Sequence, residues 1–160
     1  MATKRSAGVL LFRSAGNGSP EFLLVHPGGP YWAKRDLGAW SIPKGQIEDG
    51  EDPRDCALRE MEEELGTLPP LVPGDLITLG SVRQRAGKVV EAWAGEGDFD
   101  PAGLASNTFE LEWPPRSGRE QEFPEVDRAE WFDLTEAKRR ILPAQAEFLD
   151  RLVEHLDSAR

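Results

Sequence analysis

The 160 residues of this chain are enough for one globular domain, and five Trp and seven Phe provide apolar surface for a packed core. The formal net charge of −10 disfavours general binding to nucleic-acid backbones. Bound cations and a few Arg or Lys side chains can still reverse the field inside one cleft, so an anionic small molecule remains an acceptable partner. We expect a single domain over residues 1–160, as a monomer or homodimer.

The single cysteine, Cys56, excludes an intrachain disulfide, and its spacing from His26 and His155 matches no zinc-binding pattern. No apolar run approaches the roughly 20 residues of a membrane-spanning helix, and the N-terminus leads into a short strand-like run instead of a signal-peptide core. These features predict a cytoplasmic protein with no membrane contact.

The residue pattern in the first half of the chain predicts a hairpin, a surface loop, a short strand and a helix. The helix has the clearest boundaries, because Asp52 can cap its first turn, Pro53 suits the first helical position and Gly66 can end it. The predicted ranges are 7–13 and 21–26 for the hairpin, 27–38 for the loop, 39–42 for the short strand and 53–65 for the helix.

The second half predicts another hairpin, an irregular insertion, a later strand and two helices separated at Pro143. The insertion is interrupted by Pro and Gly, and long segments of this kind often carry a binding site. The ranges are 76–85 and 88–95 for the hairpin, 98–125 for the insertion, 128–134 for the strand, and 135–141 and 144–156 for the helices. Because strands and helices do not alternate strictly, the predicted fold class is α+β, with helices on the faces of a sheet.

Three glutamates share one face of the first helix. Glu60, Glu63 and Glu64 fall within an arc of about 100°, away from the apolar stripe. Alone, such a run is more typical of a solvated acidic surface. Upstream, Lys44 and Gly45 follow a strand-like segment, where a glycine lets the main chain approach a ligand and present carbonyl oxygens. Carboxylate and carbonyl oxygens suit Mg²⁺ and Mn²⁺, so the two segments together predict a metal site.

The stretch around this helix carries a recognisable motif. The order is glycine, five residues, glutamate, seven residues, and then Arg-Glu-apolar-any-Glu-Glu-any-Gly. This is the spacing of the Nudix box, so the chain resembles the Nudix hydrolase family. The eight matching positions are Gly45, Glu51, Arg59, Glu60, Met61, Glu63, Glu64 and Gly66. One edge position departs, because Thr67 stands where an aliphatic residue is usual. The resemblance extends over most of the chain and implies a Nudix-type α/β/α sandwich with a mixed central sheet.

The resemblance also implies roles for these residues. Glu60, Glu63 and Glu64 would ligate Mg²⁺ or Mn²⁺ or act as the general base, and a main-chain carbonyl of Lys44 or Gly45 would complete the metal site. Either Glu60 or Glu64 can be the base, since different members of the family use different bases.

The resemblance also implies supporting roles for other acids and for the arginine of the box. Glu51 and Arg59 are similar to the family's supporting pair, and Gly66 completes the box. For Arg59, ion pairs that orient the catalytic acids are favoured over direct substrate contact. Family members often recruit a further acidic metal ligand from outside the box, and Glu125 is similarly placed. Its competitors are Glu120 and Glu122.

Substrate phosphates require cations, and Lys44 has the best position for this role. The other candidates are Lys34, Arg35, Arg83, Arg85, Arg116 and Arg119. His26, at a strand end, is a further candidate donor to a phosphate. A nucleobase can stack on Tyr31, Trp32 or Trp93, although aromatic side chains more often pack in the interior.

The function implied by the resemblance is divalent-metal-dependent pyrophosphohydrolysis of a nucleoside diphosphate linked to another group. The variant Pro43-Lys44-Gly45 resembles members that act on dinucleoside or inositol polyphosphates, and longer segments resemble a bacterial subgroup of predicted pyrophosphohydrolases. Nucleoside triphosphates, oxidised nucleotides, nucleotide sugars and capped RNA ends are alternative substrates, although the acidic charge weighs against capped RNA. A module that senses a nucleotide without cutting it is the alternative from another class, and the three intact glutamates count against it.

Overall fold

The computed structural model describes residues 4–159, apart from the side chains of Pro73 and Ala86. Over these residues the strands are β1 Arg5–Ser14, β2 Pro20–Pro27, β3 Lys44–Gln46, β4 Ile77–Arg83, β5 Val89–Glu96, β6 Thr108–Glu112, β7 Glu120–Pro124 and β8 Val126–Phe132. The α-helices are α1 Pro53–Leu65, α2 Leu134–Arg140 and α3 Ala146–Ser158. None of these helices is long and apolar enough to cross a membrane.

The main sheet is mixed, with strand order β4-β5-β1-β2-β8. Strands β1 and β5 run parallel, while the other neighbours are antiparallel. Strand β3 pairs with the first half of β1, so that Gly45 lies opposite Ala7. Strands β6 and β7 form a separate hairpin. The pairing of β3 with β1 places the glycine of the box directly beside the centre of the sheet.

Helices cover both faces of this sheet. On one face, Met61 and Leu65 of α1 pack with Val9 and Leu11 of β1 in one buried cluster. On the other face, side chains of α2 and α3 pack with alternate residues of the same strands, including Leu10. Because successive side chains of a strand point to opposite faces, one strand serves both cores. The predicted α+β class and the layered arrangement are confirmed.

The predicted short strand at residues 39–42 is wrong. Trp40 and Ser41 form isolated bridges, with Ile141 and Val25 respectively, and the regular strand begins after Pro43. Trp40 and the neighbouring Ile42 are fully buried, so this segment is fixed by packing into the core instead of by a continuous ladder.

The predicted irregular insertion at 98–125 is only partly irregular, because it contains the β6–β7 hairpin. Strand β6 alternates between exposed and half-buried residues, and β7 is exposed apart from Phe123. Each strand has only five residues, so the apolar alternation of Phe109 and Leu111 is a weak signal among the Pro and Gly residues around it.

A buried glutamine connects the helical layer to the segment that precedes β3. Gln145 is fully buried, and its Oε1 accepts the N–H of Ile42 at 3.1 Å. Its Nε2 donates to the hydroxyl of Ser41 at 3.1 Å and to the side-chain oxygen of Gln84 at 3.0 Å. These bonds fix the main chain two residues before Lys44, and therefore help to set the position of the glycine loop.

Replacing Gln145 with Ala should lower the free energy of unfolding by about 1–3 kcal/mol, because the buried N–H of Ile42 then loses its acceptor. Urea denaturation measures this change. The matched control is Gln121→Ala, which removes an exposed glutamine amide from the β6–β7 hairpin and should change stability by less than about 0.5 kcal/mol. Equal effects of the two substitutions would contradict the role assigned to Gln145.

Candidate active site

Helix α1 carries the candidate glutamates, and local chemistry sets both of its ends. The side chain of Asp52 accepts the N–H groups of Arg54 and Asp55 at 2.9 and 3.2 Å. Gly66 adopts a left-handed conformation with φ of 88° and donates its N–H to the Glu62 carbonyl. The predicted limits of the helix are confirmed, because both caps depend on residues that are adjacent in the sequence.

The helix lies against the glycine of β3. An ideal Cβ built on Gly45 would overlap the carboxyl group of Glu60. The main-chain N–H of Lys44 donates to Glu64 Oε2 at 3.3 Å. Thus the absence of a side chain at position 45 allows two glutamates of α1 to reach the β3 main chain.

Arg59 connects Glu51, just before α1, with two acids of the helix. Its Nε and Nη2 donate to the two oxygens of Glu51 at 2.7 and 2.9 Å. Its Nη1 donates to Glu60 at 3.0 Å and to Glu63 at 3.1 Å. The bidentate contact with Arg59, helped by the N–H of Glu48, lowers the pKa of Glu51 to about 2. The structure thus supports an orienting role for Arg59.

The acids of α1 that face β3 have pKa values shifted in the opposite direction, upward instead of downward. The Glu64 side chain is buried, and this desolvation, partly offset by Lys44, raises its pKa well above the usual glutamate range. Burial, together with the charge of Glu63, also raises the pKa of Glu60. The main-chain N–H of Glu125 donates to the Asn107 carbonyl, and the N–H of Asn107 donates to the Glu63 carbonyl, so Glu125 lies near the C-terminal end of α1. Like Glu125, its competitors Glu120 and Glu122 are exposed, and they lie on β7.

This donor set fits Mg²⁺ or Mn²⁺. Crowded, desolvated carboxylates need positive charge, and their hard oxygens are the ligands that these ions prefer. Within the described part of the chain, no three His, Cys, Asp or Glu side chains are already grouped as a metal cage. Instead, Arg59 holds Glu60 and Glu63. The Cys56 thiol lies 3.6 Å from the Gly45 carbonyl, and burial raises its pKa to about 12, so it is a neutral neighbour.

His26 does not have the position expected of a phosphate donor. The side chain is fully buried. Its Nε2 donates to the carbonyl of Arg35 at 2.6 Å, and its Nδ1 lies 2.7 Å from a carboxylate oxygen of Asp127. Since both ring nitrogens are engaged inside the fold, His26 anchors the 27–38 loop and offers no free nitrogen to a substrate. Asp127 was missed, because a partner 101 positions away leaves no local signal in the sequence.

The other substrate-binding candidates lie in different places. A pocket of about 810 Å³ is lined by Arg83, Arg85 and Arg35, together with Trp32 and the stretch 142–144. Lys34 is exposed and outside the lining of this pocket. Among the remaining candidates, Arg116 and Arg119 lie in the turn between β6 and β7, Trp93 is buried, and Tyr31 packs edge-on against Trp113. The structure thus brings only some of the predicted substrate-binding residues together in this pocket.

The fold and the motif define a class of protein, and comparison with known sequences agrees with it. The sequence profile of the NUDIX domain matches residues 2–152, so the chain belongs to the Nudix family. An RNA pyrophosphohydrolase of Gluconacetobacter diazotrophicus is 28% identical over 143 residues, covering 86% of this chain and 81% of that protein. Nudix hydrolase 25 of Arabidopsis thaliana is 39% identical over 62 residues, which are 37% of this chain.

Some of these matches are partial. The chain spans 35% of the Arabidopsis protein and 34% of an RNA pyrophosphohydrolase of Rhodospirillum rubrum, which is 43% identical over 56 residues, 33% of this chain. Among solved structures, C. elegans Ap4A hydrolase in a binary complex has a TM-score of 0.64 at 22% identity, covering 98% of this chain and 99% of that one. The NUDIX domain of Shewanella oneidensis NrtR, complexed with ADP ribose, has a TM-score of 0.64 at 18% identity, covering 98% and 90%. These structural likenesses confirm the predicted fold.

Gly45→Ala should reduce the free energy of unfolding by about 1–3 kcal/mol, because a methyl group at this position displaces the Glu60 carboxyl. Chemical denaturation without metal measures the loss. Gly16→Ala is the control, since a Cβ there meets open space. An unchanged stability of Gly45→Ala would show that α1 does not need this close approach.

Glu64→Gln should change the pH dependence of stability. Because the pKa of Glu64 is raised on folding, the native state loses stability as the pH rises from the usual glutamate range through the raised pKa. The amide removes that loss and can still accept the N–H of Lys44. In EDTA, we expect the Tm of the variant to exceed that of the wild type by about 2–6 °C at pH 8 and to match it at pH 5.

The control for this experiment is Glu62→Gln, on the exposed side of α1. It should show no such pH-dependent difference. If the Tm difference for Glu64→Gln is the same at pH 5 and pH 8, the electrostatic account of Glu64 is wrong.

Proposed function

We propose that the chain is a divalent-metal-dependent pyrophosphohydrolase that cleaves a phosphoanhydride bond in a nucleoside diphosphate linked to another group. The observation that carries this proposal is the convergence of Glu60 and Glu64 on the Lys44-Gly45 main chain. Hydrolysis of a phosphoanhydride requires neutralised phosphoryl oxygens and a water molecule held in line with the bond that breaks. The acids and the lysine at this site are suited to both tasks.

The residues that would hold the metal ion are the three box glutamates, Glu125 and a main-chain carbonyl at Lys44 or Gly45. When bound, Mg²⁺ or Mn²⁺ supplies charge neutralisation for the phosphate oxygens. The Arg59 guanidinium orients Glu60 and Glu63 by direct hydrogen bonds and stays attached to Glu51. This arrangement supports a positioning role for Arg59 beside the acids that act.

Glu60 and Glu64 are the two candidates for the general base. Both are largely shielded from solvent, and burial raises the pKa of each above the usual value. A carboxylate with a raised pKa is a stronger proton acceptor, so either residue can take the proton of the attacking water. The Lys44 ammonium, at the edge of the same site, can pair with a substrate phosphate.

The arginine-lined pocket supports a substrate with a second charged or aromatic part. The register Arg83-Val89-Arg5 places Arg83 three strand spacings, about 14 Å, from Ile47, the residue that follows β3. The single acid of the pocket wall, Asp36, is paired with Arg140 outside the wall. The pocket therefore has a positive local charge in an acidic protein, and it suits a polyphosphate chain or an attached nucleotide.

Two molecules of this kind are candidate substrates. A dinucleoside polyphosphate has a nucleotide at each end of a polyphosphate chain, and a structural neighbour is an Ap4A hydrolase. The second candidate is an RNA with a 5′-triphosphate, since several relatives are named RNA pyrophosphohydrolases. The net charge of −10 confines RNA contacts to the arginine-lined pocket and its surroundings.

The experiment is an incubation with Mg²⁺ or Mn²⁺ at pH 7 to 9 and a panel of substrates, followed by identification of the products. The panel contains diadenosine tetraphosphate, ATP, ADP ribose and RNA with a 5′-triphosphate. We expect cleavage of diadenosine tetraphosphate to ATP and AMP or to two ADP, abolished by EDTA. Preferred cleavage of the RNA instead selects the second candidate. Metal-independent activity contradicts the metal dependence in the proposal, whereas no cleavage of any member contradicts the proposal as a whole and favours a sensing module.

The substitution Glu64→Gln tests the proposed role of Glu64 as a base and metal ligand. The turnover number should fall by about 10²–10⁴-fold, because the variant has lost a base and metal ligand, while the fold persists. Glu62→Gln should stay within about twofold of the wild type. Near-normal turnover by Glu64→Gln would exclude Glu64 from the catalytic group and leave Glu60 as the base.

A further inference from the structure

A short segment outside the Nudix box, residues 105–107, forms a strap across the end of α1. The N–H of Ala105 donates to the carbonyl of Leu65 at 3.0 Å, and the N–H of Asn107 donates to the carbonyl of Glu63 at 2.9 Å. Carbonyls in the last turn of a helix have no partner within the helix. The strap supplies those partners, and so it fixes the end of the helix that carries the catalytic acids.

The box glycine makes room for this strap. An ideal Cβ on Gly66 would lie 2.7 Å from the Cβ of Ala105, and the φ of Gly66 is in the left-handed region. A larger residue at position 66 would push the strap away from the helix. The glycine at the end of the motif therefore ends α1 and also lets the strap pack against it.

The same strap holds the junction between β7 and β8. The carbonyl of Asn107 accepts the N–H of Glu125 at 2.8 Å, and the carbonyl of Glu125 accepts the N–H of Gly28 at 2.9 Å. The hydroxyl of Ser106 accepts the N–H of Val126 at 3.0 Å and lies 2.6 Å from the Asn107 carbonyl, to which it donates. Glu125 is thus fixed from both sides by main-chain bonds.

The side chain of Ser106 is the element of this junction that can be changed without altering main-chain groups. Val126 is buried, so loss of the hydroxyl leaves its N–H without that acceptor. The adjacent residue is Glu125, whose N–H bonds to the carbonyl of Asn107, and the N–H of Asn107 bonds in turn to the carbonyl of Glu63 in α1. A shift of this junction would therefore move an acid that faces α1.

We propose that Ser106 is a positioning residue of the metal site: its hydroxyl, bonded to Val126 and Asn107, holds Glu125 in place opposite the glutamates of α1. The inference rests on the proposed function, which makes Glu125 a metal ligand. It assigns to the insertion the task of fixing an acidic ligand relative to the Nudix helix.

The test measures Mn²⁺ affinity by electron paramagnetic resonance of the free ion, with the full chain and no substrate. Ser106→Ala should weaken Mn²⁺ binding by about tenfold, the scale typical of residues that orient metal ligands. Ser106→Thr keeps the hydroxyl and should restore the affinity to within about twofold. The control Ser117→Ala removes a hydroxyl from the β6–β7 turn, where it bonds Arg119, and should leave the affinity unchanged.

A double-mutant cycle with Glu125→Gln separates positioning from general loss of structure. If Ser106 acts through Glu125, Ser106→Ala should weaken binding by less than about twofold in the Glu125→Gln background. A tenfold loss in that background overturns the proposal, as does wild-type affinity of either single variant. No Mn²⁺ binding by the wild type overturns the proposed metal site itself and this inference with it.

Discussion

The architecture of the site depends on the close approach of Glu60 to Gly45. The carboxyl of Glu60 takes up the space that a side chain at position 45 would need, so α1 can lie directly on β3. The same approach brings Glu64 within reach of the Lys44 N–H. Pairing of β3 with β1, and the contact of Gln145 with Ile42, hold the strand in position for this contact. The spacing of the box is therefore a packing requirement as well as a chemical one.

The acids in and just before α1 fall into two groups, which differ in the direction of their pKa shifts. On the outer side, Arg59 compensates Glu51 and lowers its pKa to about 2, which keeps that carboxylate ionised and in place. On the inner side, Glu60 and Glu64 have raised pKa values because they are buried among other acids. The ion pairs of Arg59 fix the positions of the acids that it contacts, and the negative charge of Glu60 and Glu64 is only partly compensated. The proposed divalent ion would neutralise this negative charge, and an anionic substrate could then approach an acidic protein.

The parts of the structure that depend on neighbouring residues were predictable. Helix α1 was predicted with its observed limits, because Asp52, Pro53 and Gly66 act within a few positions of its ends. The motif spacing likewise indicated which acids share a face. The strand near β3 was misplaced because Trp40 is buried and the regular ladder starts only after Pro43.

Features that depend on distant contacts were beyond prediction. The burial of His26 follows from its bonds to Asp127 and to the main chain of Arg35, and neither contact has a sequence pattern. The strap at 105–107 meets α1 through main-chain groups, which every residue possesses. The β6–β7 hairpin escaped detection because its strands are short and carry only a few alternating apolar residues. Glu125 was a reasonable candidate by placement, and only the fold brings it to face α1.

We propose that the buried glutamates of α1 form a site for a divalent ion. The most direct test is calorimetric titration with Mn²⁺ in buffers of different ionisation enthalpy, which counts the protons released on binding. We expect binding accompanied by proton release that increases as the pH falls from 9 to 6.5, since Glu64, with its raised pKa, then gives up its proton to the ion. Binding without proton release at pH 6.5, or no binding at any pH in this range, would contradict the account.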